Sequence, residues 1–226
     1  MKQILFFLSY LLLFFSAPAQ GLLPGIITHQ NSGNKPVAGV YVESNLGGGK
    51  KTATDGTFLM KFAGKQHGYE GYFKKVEKEG LEVVNKDDLF FTLKKDASRR
   101  LKLYMCPLGQ WHENALAFYG INKAIITQKH EERIRDLQQK ISDQTVLKDS
   151  LETLNTDYQA ALAEAKKLSL DFAKANLDDA AEVYRKAYAL FTEGDLEGAL
   201  NVLRKEQSPQ KLEKDIAEKQ QLEKLI

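Results

Sequence analysis

The sequence predicts an α+β chain of more than one domain, an antiparallel β-sandwich followed by long helices. Three observations carry that expectation. Apolar residues alternate at period two up to about residue 109 and recur at helical spacing after it. Turn-forming residues punctuate the first part at Asn31-Ser32-Gly33-Asn34, Gly47-Gly48-Gly49 and Asp55-Gly56. No proline lies between Pro107 and Pro209. The chain has 226 residues, 43% hydrophobic and 27% charged, with a mean hydropathy of −0.39. That composition excludes a multi-span membrane protein and a disordered chain. At about 150 residues per domain there is room for one or two domains. A catalytic barrel of about 250 residues does not fit.

The first segment, 1–19, reads as a secretory signal peptide. Lys2 supplies the positive end, Ile4 to Phe15 are almost wholly apolar, and Ala17-Pro18-Ala19 offers small residues for cleavage before Gln20. An uncleaved anchor is the rival reading, but the apolar run is about 12 residues, short of the ~20 that span a bilayer. Export to the periplasm, cell surface or medium is the expected address, with no membrane span once the leader is gone. Cys106 is the single cysteine, which excludes an internal disulfide framework and a CxxC…CxxC zinc site. It is expected to be a small buried residue.

Residues 21–109 form the predicted sandwich. Val40 and Val42 share one parity, as do Phe58, Met60 and Phe62, and then Leu101, Leu103 and Met105. Side chains of one parity face one side of a sheet, so each set marks the buried face of a strand. The segments Gly25-Ile26-Ile27, Lys35-Pro36-Val37-Ala38-Gly39-Val40-Tyr41-Val42 and Thr54-Asp55-Gly56-Thr57-Phe58 together resemble the carboxypeptidase regulatory-like domain. The resemblance implies a transthyretin-like, seven-stranded sandwich over about 85 residues. Gln66-His67-Gly68-Tyr69-Glu70 departs from the pattern and leaves the middle strands undefined.

Residues 110–176 are predicted to be a long helical or coiled-coil segment. Leu147, Leu151, Leu154, Tyr158, Ala161, Ala165, Leu168, Phe172 and Ala175 step by four and three in turn. An upstream seam, Ile134, Leu137 and Ile141, is out of step by one residue. The break at 142–145 is either a helix–helix turn or a local overwinding. Asn176 is then expected to cap a helix carrying Asp178 and Asp179 in its first turn and running to about Thr192. Gly194-Asp195 ends it, another helix runs from about Leu196 to Ser208-Pro209, and Lys211 starts a further one.

The stretch from Ala187 to Leu200 resembles a tetratricopeptide repeat, which covers most of the predicted segment 177–226. The resemblance implies that Ala187 and Ala199 sit where paired helices touch and that Gly194-Asp195 makes the turn. It also implies that Leu190 and Leu203 fill large apolar positions, while Tyr184 and Tyr188 face a ligand-contacting groove. Core packing is the competing role for both tyrosines. About three repeats are usual in a stable stack. The order of leader, sandwich, long helix and repeat resembles a group of exported proteins of the Bacteroidetes, against which an end at Ile226 reads as a short or truncated member.

Residues 21–109 hold fourteen basic and nine acidic side chains, and residues 110–226 hold seventeen and twenty-one. The overall balance of 32 to 30 gives no reason to expect nucleic acid. His67 and Glu70 resemble the first zinc-ligand pair of metallocarboxypeptidases, with His112 or His130 as a third ligand, but a surface loop is the preferred reading. Gly47-Gly48-Gly49-Lys50 lacks a Walker pattern and reads as a strand connection. Lys94, Lys95, Arg99, Arg100 and Lys102 suit either an anionic glycan or lipid surface, or a charged strand edge that blocks pairing. Trp111 is expected to pack where the two halves of the sequence join.

The expectation is an exported, non-enzymatic interaction protein with no catalytic, cofactor or metal residues. Its helices would bind a protein or peptide partner in the cell envelope, and its sandwich would act as spacer or adhesion unit. A coiled-coil homo-oligomer built on the 147–175 seam is the alternative, and a zinc metallocarboxypeptidase relative the remote one.

Overall fold

The computed structural model describes residues 20–206. The expected leader and the Pro209 and Lys211 signals lie outside the described residues. The chain divides between Leu108 and Gly109 into two compact units.

The first unit contains eight strands among the described residues: β1 Gly21–His29, β2 Tyr41–Ser44, β3 Gly49–Lys51, β4 Thr57–Phe62, β5 Glu70–Glu77, β6 Leu81–Val83, β7 Phe90–Thr92 and β8 Leu101–Pro107. They make two four-stranded sheets, ordered β4-β1-β8-β6 and β3-β2-β5-β7. The alternating residues behave as period two requires: Val42, Phe58, Met60, Phe62, Leu103 and Met105 are buried in one core cluster with Phe73 and Phe91. Both sheets contribute to that cluster.

Two features differ from a seven-stranded, wholly antiparallel sandwich. There are eight strands, because the glycine-rich turn leads into the short β3. In addition, β1 and β8 pair in parallel, with Gly25 opposite Leu101 and Ile27 opposite Leu103. The region left undefined by the sequence holds β5, in which Gly71 and Phe73 are buried between exposed neighbours.

Close backbone approach explains two of the glycines. A Cβ on Gly25 would enter the ring of Phe58, its registered partner on β4. A Cβ on Gly71 would lie 2.7 Å from the Phe91 ring. Thr52 is buried without polar cost, since it accepts from the Val40 N–H at 2.9 Å and donates to the Val37 carbonyl at 2.8 Å. The Asp55-Gly56 turn is closed by the Asp55 carboxylate, which accepts from the Thr57 hydroxyl at 2.7 Å and its N–H at 3.0 Å. Those bonds hold the Asp55 pKa below its usual value, with the charge of Arg100 adding a smaller pull.

The second unit contains α1 Gln110–Lys140, α2 Gln144–Lys174, α3 Glu182–Thr192 and α4 Leu196–Glu206. The break in the apolar seams is a turn: Ile141 is extended, and Asp143 caps α2 by accepting from the N–H groups of Thr145 at 2.8 Å and Val146 at 3.1 Å. The two long helices pair antiparallel. Lys174, at the end of α2, lies 5.0 Å from the ring of Trp111 at the start of α1. Midway, Thr127 and Tyr158 share a hydrogen bond of 3.1 Å.

The α2 seam is used inside the chain. Ala165, Leu168 and Phe172 pack in one cluster with Ala187, Phe191, Leu196 and Ala199 from the α3–α4 hairpin. Ala187 and Ala199 are completely buried. One helix boundary differs from expectation: α3 begins at Glu182 and not after Asn176, because the chain first makes a turn in which the Ala180 N–H donates to the Leu177 carbonyl, and Ala181 occupies the cap position.

Candidate functional site

The helical unit carries a groove of about 160 Å³ where the α3–α4 turn meets the long helices. The α1 wall presents Lys129, His130 and Arg133, the α2 wall presents Asp157 and Tyr158, and the first turn of α4 adds Glu197. Ile125, Ile126, Leu154, Ala161 and Leu196 make the apolar surface between them. Gly194 shapes this corner: its φ of +87° belongs to the left-handed region, and a Cβ there would collide with Ile125. The His130 ring stacks on Tyr158 at 4.2 Å and 17°. Its Nδ1 is buried with no hydrogen-bond partner.

Asn122 fixes the hairpin to α1. It is fully buried, and its Nδ2 donates to the Phe118 carbonyl at 3.0 Å and to the Phe191 carbonyl at 2.9 Å. The Phe191 carbonyl, in the last turn of α3, also accepts from the Gly194 N–H at 3.0 Å, so the amide ties α1 to the start of the α3–α4 turn.

Tyr184 and Tyr188 do not line this groove. Both rings meet Phe172 edge-on, at 5.1 and 5.5 Å, and Tyr188 also meets Phe118 at 5.6 Å. Burial, with a smaller effect from the Asp171 charge, pushes the Tyr184 hydroxyl up to about 12. Burial raises that of Tyr188. The two residues serve the packed cluster.

The β unit carries a second concavity, a cleft of about 450 Å³ lined by Lys94, Arg99, Arg100, Glu70, Phe90 and Phe91 among others. It adjoins a smaller one of about 310 Å³ that takes in Lys50 and Lys51 and shares Pro24 and Arg100 with the first. Phe90 is 73% exposed and Tyr72 43%, with their rings 6.0 Å apart. Asp96, on the loop between β7 and β8, is engaged by the Ser98 hydroxyl and N–H, which lower its pKa. Of the basic residues grouped by sequence, Lys94, Arg99 and Arg100 line the cleft, whereas Lys95 and Lys102 do not. Lys102 lies on β8, paired with Ile26 of β1.

The other sequence candidates stay apart. His67 and Glu70 are exposed, His112 stacks on Trp111, and His130 lies in the helical groove. Among the described residues no three His, Cys, Asp or Glu side chains come together as a metal would require. Gly47 and Gly48 adopt φ of +100° and +79° in a turn leading into a strand, where no helix begins. Cys106 is buried. Trp111 is buried, with the Lys174 ammonium 5.0 Å from its ring. No helix among the described residues is long and apolar enough to cross a membrane.

No protein family, curated protein or solved structure matches the chain.

Proposed function

We propose that the protein is an exported, non-enzymatic interaction protein whose helical unit takes a peptide segment of a protein partner in the cell envelope. The observation that carries this is the groove at the α3–α4 turn. Lys129 and Arg133 offer cations from α1, Asp157 and Glu197 offer carboxylates across from them, and Ile125, Leu154 and Leu196 supply apolar surface between. A short segment bearing charges of both signs around an apolar residue complements such a site. The buried alanine pair of the α3–α4 hairpin supports the tetratricopeptide-like reading. Two sheets about one core support a carboxypeptidase regulatory-like sandwich, from which the strand count and the parallel β1–β8 pair depart. That unit is the spacer.

The coiled-coil oligomer draws no support from the seam, because Ala165, Leu168 and Phe172 are covered by the chain's own hairpin. The metallocarboxypeptidase alternative rests on His67 and Glu70, which are both exposed.

Panning a random peptide display library against the full chain tests the groove. Enriched peptides are expected to lose about tenfold or more in affinity for the variant Arg133→Glu, with helical ellipticity unchanged. Failure to enrich, or equal binding to the variant, overturns the proposal.

A further inference from the structure

The structure also points to a ligand for the β unit, and we propose that its basic cleft binds an acidic polysaccharide containing uronate. Five cations, Lys50, Lys51, Lys94, Arg99 and Arg100, line the two adjoining concavities, and Glu70 is the single carboxylate in either lining. Among the described residues no carboxylate makes an ion pair with Lys94, Arg99 or Arg100. Asp96 is bonded within its own loop by Ser98. Five cations set against Glu70 in the lining and Asp55, whose carboxylate feels the charge of Arg100, leave an excess of like charge, and a polyanion relieves that repulsion while releasing its own counterions.

The remaining lining chooses among polyanions. Leu101 in the lining is half-buried and Phe90 is exposed, its ring 6.0 Å from that of the exposed Tyr72. A uronate polymer alternates carboxylates with apolar C–H faces of its sugar rings. The carboxylates match the planar forks of Arg99 and Arg100, and the ring faces match the aromatics. A lipid bilayer presents a broad surface that cannot enter a concavity of about 450 Å³. A nucleic acid strand carries one phosphate per ~3.4 Å, a density better met by a continuous basic stripe than by five cations over two hollows.

Calorimetric titration of the full chain at low salt tests this with three probes: an oligogalacturonate, a single-stranded oligothymidylate and phosphatidylglycerol vesicles. The oligogalacturonate is expected to bind. The double variant Arg99→Ser with Arg100→Ser should weaken it by about tenfold or more, and Phe90→Ala by about fivefold. Lys74→Ser with Lys86→Ser removes the same charge away from the cleft and should change it by less than about twofold. Lys50→Gln with Lys94→Gln should also weaken it by about tenfold, which keeps the test decisive if the arginine variant does not fold. Absence of binding, equal losses in the cleft and control variants, or tighter binding of oligothymidylate or vesicles overturns the proposal.

Discussion

Asn122 shows how much one polar side chain can hold when it replaces apolar packing. Its amide donates to two helix carbonyls from a fully buried position, so a carboxylate there would face two acceptors with no proton to give. Asn122→Asp is therefore expected to cost about 3 kcal/mol or more at neutral pH. Burial would raise the new carboxyl's pKa in the fold, so the lost stability should return as pH falls and the protonated group regains a donor. Denaturant unfolding across acid and neutral pH measures this. The tyrosines work in the alkaline direction. With the Tyr184 hydroxyl raised to about 12, the unfolded chain ionises first, and stability should decline as pH rises from about 10 through that value. Phenolate absorbance against pH, compared with Tyr184→Phe, checks it: the variant should lose less stability over that range.

At the level of elements, the α2 seam predicts a particular failure. Leu154 is buried, so Leu154→Lys places an ammonium against apolar neighbours and is expected to cost about 2–5 kcal/mol. The loss should appear in thermal melting of helical ellipticity, while the sedimentation mass stays that of the parent. Strands and helices were legible from sequence wherever burial follows a simple period. Val40 and Val42, the Phe58–Phe62 set and the 147–175 seam all carry their period openly. β1 does not, because Pro24 and Gly25 are buried beside Leu23 and break the alternation. β5 hides its inward face because Gly71 lends no hydropathy to a position filled by the Phe91 ring. Asn176 is a residue type that caps helices, yet the turn closed between the Ala180 N–H and the Leu177 carbonyl separates it from α3. The candidate sites were less legible. Lys129, Arg133, Asp157 and Glu197 look like ordinary solvated charges in the sequence, and only the α1–α2 pairing and the Gly194 turn bring them to one groove. The arginines at 99 and 100 were visible as a cluster, whereas Lys50 and Lys51 join them only through tertiary folding.

For the molecule as a whole, each unit owns a core: one built from Leu23, Ile27, Phe73 and Leu103, the other from Leu168, Phe172 and Phe191. Calorimetry is expected to resolve two transitions, with Leu103→Ala lowering one and Phe172→Ala lowering the other. The parallel pairing of β1 with β8 bears on how these cores come into being. Gly25 meets Leu101, 76 positions later in the chain, so β1 leaves the ribosome early and receives its second neighbour only after nearly the entire β unit has been made. Until then one edge of β1 remains a template for any passing strand. The helical unit also needs distant contacts, since Asn122 reaches Phe191 across 69 positions, but its helices pair their own backbone locally, whereas β1 cannot. The interval before β8 arrives is therefore when the backbone edge of β1 is most open to a wrong partner.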